Sequence, residues 1–216
     1  MKSAILNNRT AFITGTVLAA GTAIGLLTLQ AADKKDSTKP ALSEEDATKN
    51  WMAAATPGEW HQKLAPWIGE WEANSKMWMA PGAPPVESAG TAVAHWILGD
   101  RFVEMTVKST IMGQPFEGRA ITGYNNIQKT YQSFWIDNMG TSMTTNAGSV
   151  SADGKTFTFE GKMDDPMTGE KNKAYKFIDR FVSNDEVQSE IHELARGKDS
   201  KMMEMTYKRK KVALNR

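Results

Sequence analysis

The sequence contains no cysteine among its 216 residues. This absence excludes disulfide bonds, thiolate nucleophiles, cysteine-ligated zinc, iron–sulfur clusters and any lipid anchor attached through a cysteine. Histidine is also scarce, with three residues, and none recurs with acidic residues at a metal-ligand spacing. No hydrolase, zinc-protease or phosphate-loop motif is present. The sequence therefore predicts no metal site and indicates no enzyme class.

An excess of charge of one sign is likewise missing. Lys and Arg number 26 against 25 Asp and Glu, for a net charge of +1. A near-neutral chain has no electrostatic reason to hold nucleic acid, and the basic run at 208–211 is interpreted as a solvated strand end. A hydrophobic content of 40% with 24% charged residues excludes a wholly disordered chain, and the length favours one domain.

The N-terminus is typical of an export signal. Residues 1–9 contain Lys2 and Arg9 and no acid, and residues 10–29 contain no charge at all. Small residues then precede a polar segment, so we expect a signal peptide over residues 1–31, cut after Ala31 or Ala32. The alternative is an uncleaved membrane anchor, because about 20 residues suffice to cross a bilayer. The sequence thus predicts a periplasmic or extracellular protein.

After the signal, three segments differ in composition. Residues 32–42 are rich in Lys, Asp, Ser, Thr and Pro and are predicted to form a flexible tether. Residues 43–66 carry helix-start signals at Ser43 and at Thr56-Pro57, with Pro66 as the stop, and predict a short helical segment. Residues 67–211 are predicted to form the main domain.

That main domain alternates polar and apolar residues over short stretches separated by turn signals. Val103, Met105 and Val107 share one parity, and Met203, Met205 and Tyr207 share another such face. Period-two alternation with one wet face is typical of antiparallel strands. About ten such strands in one domain indicate an all-β barrel or sandwich, and a barrel removes the exposed edges.

Four runs of residues resemble a known family. They are WIGEW at 67–71, GYNN at 123–126, WIDNMGT at 135–141 and EMTY at 204–207. Together they resemble a bacterial family catalogued as domain of unknown function 1579, over roughly residues 61–210. The family usually has Asp where this chain has Asn125.

The resemblance implies a lipocalin- or calycin-like β-barrel and no established activity. In such barrels the Trp of the first Gly-x-Trp packs under a basic side chain from the last strand. The resemblance therefore implies structural roles for Gly69 and Trp71, with Arg209 or Lys208 as the cation that closes one end of the barrel.

A barrel of this size can hold one small ligand, and its apolar inward residues favour an apolar or aromatic molecule. Binding of such a molecule is the leading functional prediction. The predicted ligand-lining residues are Trp96, Met105, Trp135, Phe177, Met203 and Tyr207.

The sequence leaves two alternatives to ligand binding open. One is an enzyme at the barrel rim that uses Asp137 as its acid–base group, with His95 or Arg101 assisting. The other is haem binding through His95, which shares parity with Val93 and Ile97 and is expected to point inwards in that case. The default for Asp137 is to satisfy turn backbone, and the default for His95 is a hydrogen-bonded core residue.

Overall fold

The structure is a computed structural model that describes residues 42–199 and 201–211. The predicted signal peptide and all of the predicted tether except Leu42 lie outside the described residues. Among the helices within these ranges, none has the length and apolar character needed to cross a membrane.

The described residues form one closed barrel of ten antiparallel strands, which confirms the prediction of a single all-β barrel. Strands adjacent in sequence are adjacent in the barrel, and β10 closes it by pairing with β1. The strands are β1 (Gly69–Met77), β2 (Val86–Ile97), β3 (Phe102–Ile111), β4 (Gln114–Asn125), β5 (Thr130–Asp137), β6 (Thr144–Val150), β7 (Thr156–Met163), β8 (Lys173–Ser183), β9 (Glu186–Glu193) and β10 (Lys201–Arg209).

The pairing register fixes which side chains point into the barrel. Trp71 of β1 lies opposite Ala92 of β2 and Arg209 of β10. Trp71 and Ala92 have no accessible surface, so their parity is the inward one. Because directly paired residues share a face and side chains alternate along each strand, the inward set follows around the barrel from this pair.

Two helices precede the barrel. The first, α1 (Glu44–Ala55), begins as the sequence predicts, because the Ser43 hydroxyl accepts a hydrogen bond from the Asp46 N–H at 3.1 Å. Thr56 follows its last residue and donates from its hydroxyl to the Met52 carbonyl at 2.7 Å. Thr56 therefore ends α1 and does not cap the next helix, contrary to the sequence prediction.

The second helix, α2 (Glu59–Gln62), has Gly58 as its N-cap residue. The Gly58 N–H donates to His61 Nδ1 at 3.0 Å, so a histidine supplies the capping contact. The chain continues into a 3-10 turn (Ala65–Trp67) that includes Pro66. Pro66 does not end the helical segment as predicted, because proline is tolerated in a first helical turn.

These helical turns close one end of the barrel with a cluster of aromatic rings. The Trp67 ring lies 6.1 Å from Trp71, 5.1 Å from Phe181 and 5.7 Å from Tyr207, centroid to centroid. Edge-on contacts of this kind add to the stabilisation from burial. We call the cluster at this end the floor; it consists of the partly buried Trp67 and the buried residues Leu64, Trp71, Tyr131, Phe157, Phe181, Val187 and Tyr207.

The GYNN run holds the helices against the floor. Asn126 donates from Nδ2 to the carbonyls of Ala54 at 3.1 Å and Thr56 at 2.8 Å. Asn125 Oδ1 accepts from the N–H groups of two residues in the following turn, at 3.0 and 2.9 Å. An aspartate accepts both bonds equally well, so the Asn125 departure from the family pattern leaves this turn intact.

Arg209 at the end of β10 fastens the closed end. Its guanidinium lies 4.1 Å from the Trp71 ring and donates to the carbonyls of Ile68 and Pro66, both at 2.7 Å. Gly69 has φ +129°, and a Cβ there would lie 2.8 Å from Arg209 Nη1. The contact that the resemblance implies is present, and it is made by Arg209; Lys208 is exposed.

The two ends of the barrel differ in their connections. At the closed end, β2–β3, β4–β5, β6–β7 and β8–β9 are joined by turns of two to five residues. The opposite end, which we call the mouth, carries the connections 78–85, 112–113, 138–143 and 164–172 and the turn 194–199 that follows β9. Binding residues often lie on loops that a rigid scaffold presents, and the longest connections of this barrel are at the mouth.

Candidate functional site

The interior changes from buried to accessible between the floor and the mouth. Phe157 and Phe181 at the floor are 1% and 7% exposed. Farther along the inward faces, Met105, Val107 and Phe177 pack on the core yet are only partly buried. Because these side chains point into the barrel, their accessible surface faces its interior. We call this interior space between floor and mouth the cup.

All six side chains predicted to line a ligand site have the inward parity. Four of them are partly buried and line the cup: Met105, Trp135, Phe177 and Met203. Tyr207 belongs to the floor at 6% exposure. Trp96 lies near the closed end of β2, opposite the buried Val103. Their role in ligand binding stays a prediction.

The cup also contains a carboxyl group that the sequence analysis missed. Asp179 has the inward parity of β8, opposite Phe157 of β7 and Ser189 of β9. The Ser189 hydroxyl donates to Asp179 Oδ1 at 2.5 Å. Burial raises the pKa of Asp179 to about 6, and the Ser189 hydrogen bond opposes part of that rise. No Lys, Arg or His in the described ranges forms an ion pair with it.

A sequence signal for Asp179 exists. It shares parity with Tyr175, Phe177 and Phe181, so an acid interrupts the apolar face of a strand. A charged residue at an inward position of a barrel is the kind of buried polar group that calls for a functional or structural explanation.

The WIDNMGT run builds the corner where β5 leaves the barrel at the mouth. Trp135 packs directly against Gly118, where any Cβ would collide with the six-membered ring of the indole. The indole N–H donates to Asp137 Oδ2 at 2.7 Å, and the Met139 N–H donates to Asp137 Oδ1 at 2.9 Å. Both carboxylate oxygens of Asp137 therefore hold the corner in place.

Asn138 completes this corner by joining β5 to β4. Its Oδ1 accepts from the Glu117 N–H at 3.0 Å, and its Nδ2 donates to the Pro115 carbonyl at 3.1 Å. These contacts give the WIDNMGT run a structural role, because its side chains hold the turn that follows β5.

The structure does not bring the three predicted catalytic residues together. Asp137 lies at the mouth, whereas Arg101 lies at the closed end and donates to the carbonyls of Ala55 and Leu98. His95 is on the outer face of β2, with its side chain 54% exposed and its Nε2 3.4 Å from Glu104 Oε2. The expectation that His95 points inwards is wrong, because Ala94 and Trp96 have the inward parity of β2.

Because His95 points outwards, its imidazole does not reach a haem iron inside the barrel. Within the described ranges, no group of three or more His, Asp or Glu side chains is arranged to hold a metal ion.

A second charged group lies where β8 and β9 reach the mouth. Lys173 Nζ lies 2.9 Å from Glu193 Oε1 and 3.0 Å from both Asp165 Oδ2 and Glu170 Oε2. The three carboxylates, Glu193 first, raise the pKa of Lys173 well above its usual value. This network connects the 164–172 loop to the barrel wall. It also pairs the two inward-facing charged residues, Lys173 and Glu193, with each other.

The loops at the mouth present apolar side chains to solvent. Every one of the five connections carries at least one exposed large apolar residue: Met79, Met112, Met139, Met143, Met167 and Leu194. Methionine is flexible and polarizable, and surfaces rich in it adapt to different apolar partners.

A depression of about 950 Å³ runs from Phe102 of β3 and Ile121 of β4 across β5, β6 and β7 to the loops at the mouth. It is lined both by Thr144 and Asn146, which point inwards, and by Thr145, which points outwards. Most of the strand residues that line it, including Phe134, Ala147 and Glu160, have the outward parity, so the depression lies mainly on the outside of the barrel.

The fold defines a class: a ten-stranded antiparallel β-barrel that is closed at one end by an aromatic floor. Within that class, a family model described as "Protein of unknown function (DUF1579)" matches residues 56–209. The chain belongs to this family. No curated protein matches the chain.

One solved structure supports the fold. The crystal structure of Rv2717c from M. tuberculosis is 17% identical, has a TM-score of 0.54, and covers 72% of this chain and 100% of that chain. A redesigned β-barrel is 11% identical with a TM-score of 0.38, covering 69% of this chain and 96% of that chain. At these identities the likeness to Rv2717c concerns the fold alone.

Proposed function

We propose that this protein binds one small, mainly apolar or aromatic molecule in the cup. The observation that carries the proposal is the accessible surface of inward-facing side chains between floor and mouth. A barrel that packs its own interior buries such residues, as the floor does. Met105, Val107 and Phe177 instead retain surface that a ligand can cover.

The chemistry of the lining supports an apolar or aromatic body for the ligand. Met105, Met203 and Phe177 offer thioether and aromatic contacts, and Phe116 stacks near Trp135 at 6.3 Å between ring centroids. Ligand sites are mostly apolar with a few placed polar groups, which is the composition of this cup. The apolar side chains around the mouth give such a molecule a compatible entrance.

The second part of the proposal is that the protein acts outside the cytoplasm. Its support is the basic start, the uncharged stretch and the small residues around Ala31 in the sequence. The intact mass of protein isolated from the native cell tests it. Loss of 31 or 32 residues supports export, and a full-length chain in the soluble cytoplasmic fraction contradicts it.

Ligand binding is tested with a neutral aromatic probe, 1-naphthalenemethanol, by isothermal titration calorimetry on the purified mature chain. We expect one binding site per chain and a negative heat-capacity change, because apolar surface is buried. Native mass spectrometry of the protein from its own cells then identifies any retained molecule. A chain that binds no apolar probe and carries no molecule contradicts the proposal.

A matched pair of variants locates the site. Ala120 points into the cup opposite Met105 and Trp135, whereas Ala174 is exposed on the outer face of β8. We expect Ala120→Phe to weaken probe binding at least tenfold by filling the cup, and Ala174→Phe to leave it within twofold. Equal effects of the two substitutions would place the probe elsewhere.

A further inference from the structure

We propose that the Asp179 carboxylate is the polar anchor of the cup, and that the natural ligand is an amine, protonated at neutral pH, on an apolar or aromatic body. This inference rests on the proposed function, since it names the chemistry of the molecule that the cup takes. It is argued from the position of Asp179, its partners and its surroundings.

Asp179 occupies the deep part of the cup. On β8 it lies between Phe177 and Phe181, and its paired neighbours are Phe157 and Ser189. Phe181 and Phe157 belong to the floor, yet Asp179 itself is only partly buried. Asp179 lies one inward position deeper on β8 than the partly buried Phe177, so a ligand that enters from the mouth and passes Phe177 meets the carboxyl group next.

The hydrogen-bonding capacity of Asp179 is largely unused. An ionised carboxylate offers about four acceptor positions, and the described residues fill one of them, through Ser189 Oγ. Two other inward-facing acids differ. Both oxygens of Asp137 accept hydrogen bonds, and Glu193 is paired with Lys173. Asp179 thus combines a place in the cup with free acceptor positions and no countercharge from the described part of the chain.

The surroundings favour an ammonium group over a neutral donor. An unpaired carboxylate among aromatic rings is costly to desolvate, and a cation from the ligand supplies the missing countercharge. Phe177, two residues before Asp179 on the same face of β8, is only partly buried and offers aromatic surface, which attracts cations. An anionic ligand is disfavoured at the same place by repulsion. The Tyr207 hydroxyl, whose pKa burial and the Asp179 charge raise, stays a neutral neighbour.

The test uses three probes with one aromatic body: 1-naphthalenemethylamine, 1-naphthalenemethanol and 1-naphthoate, titrated calorimetrically at pH 7.5. A charged hydrogen bond of this kind contributes on the order of tenfold to a hundredfold in affinity. We expect the amine to bind the wild-type chain at least tenfold more tightly than the alcohol, and the naphthoate to bind most weakly.

Asp179→Asn keeps the size of the side chain and an acceptor for Ser189 while removing the charge. We expect it to reduce amine affinity to that of the alcohol and to change alcohol affinity less than twofold. The control is Glu72→Gln, which removes an exposed acid from the outer face of β1 and should leave all three affinities unchanged. Circular dichroism and thermal melting confirm that each variant folds.

The outcomes separate this inference from the proposed function. If no naphthalene probe binds and the protein from its own cells retains no molecule, the proposed function fails. If the alcohol and the amine bind the wild-type chain equally tightly, the proposed binding in the cup is supported, and the role of Asp179 as the polar anchor is overturned. This comparison of probes uses only the wild-type chain, so it tests the inference even if Asp179→Asn does not fold. A preference for the amine that survives in folded Asp179→Asn also overturns the inference, because the cation is then held by another acid.

Discussion

Replacing Arg209 with alanine tests whether one side chain closes the barrel. The substitution removes the cation over the Trp71 ring, 4.1 Å away, and three donors to the carbonyls of Ile68, Pro66 and Asn184. The matched substitution is Lys208→Ala, one residue earlier on β10, which removes the same charge from an exposed outward side chain.

The expected loss of unfolding free energy comes from those contacts of Arg209 that are partly buried. The bond to the Ile68 carbonyl is partly buried and charge-assisted, a kind that contributes about 2 kcal/mol. The cation over Trp71 adds about 1 kcal/mol. The bonds to Pro66 and Asn184 are exposed, as is the Asp185 partner at 3.3 Å, and we count them as negligible. We therefore expect Arg209→Ala to lower the free energy of unfolding by about 3 kcal/mol.

The assay is urea denaturation followed by tryptophan fluorescence, with thermal melting as a second measurement. For a domain of this size, the expected loss corresponds to a melting temperature lower by about 6–12 °C. We expect Lys208→Ala to change the free energy of unfolding by less than about 0.5 kcal/mol. If Arg209→Ala stays within 1 kcal/mol of Lys208→Ala, roughly the limit of a surface change, the closure argument is refuted.

Three further predictions concern single positions. The folded-state pKa of Asp179 is raised to about 6, so its contribution favours the fold at low pH and is lost as pH rises from about 4 to about 6. Across that window wild type should lose about 3 kcal/mol of unfolding free energy relative to Asp179→Asn, measured by urea titration; a flat difference contradicts the burial argument. Asn125→Asp should be neutral because the carboxylate accepts the same two turn N–H groups, whereas Asn125→Ala should cost about 1 kcal/mol in thermal melts; equal losses would show that the charge matters. Gly118→Ala should displace the Trp135 indole, changing near-ultraviolet circular dichroism and costing about 2 kcal/mol, while Gly140→Ala, whose nearest contact is 3.9 Å away, should do neither.

The alternation of residues predicted the strands and most of the inward faces. Met203, Met205 and Tyr207 alternate as predicted even though a register shift interrupts the β9–β10 pairing between Lys201 and Met203. The shift lies at the start of β10, before the alternating run, so it does not exchange the two faces of that run.

Parity failed at His95 because both faces of β2 are apolar there. Val93 and Ile97 share the parity of His95, and Ala94 and Trp96 form an equally apolar opposite face. The pairing with β1 decides which face of β2 points inwards. Ala92 lies opposite the buried Trp71, so the even-numbered residues of β2 point into the barrel. Val93 is 44% exposed as a result.

The sequence by itself determined the local content of this protein: which stretches form strands, where the turns lie, and which short runs join neighbouring elements. Asp137, Asn138 and Asn125 act within a few residues or on an adjacent strand, and local patterns predict such contacts. The tertiary structure alone decided which end the aromatic floor closes, that Asp137 and Arg101 lie at opposite ends, and that Asp179 faces the cup without a countercharge from the described residues. These properties depend on closing β10 onto β1, which pairs Trp71 with Arg209 across the length of the domain. A single sequence does not encode such long-range pairing in any local pattern, because each strand's alternation is compatible with either face inward until its neighbours fix the register.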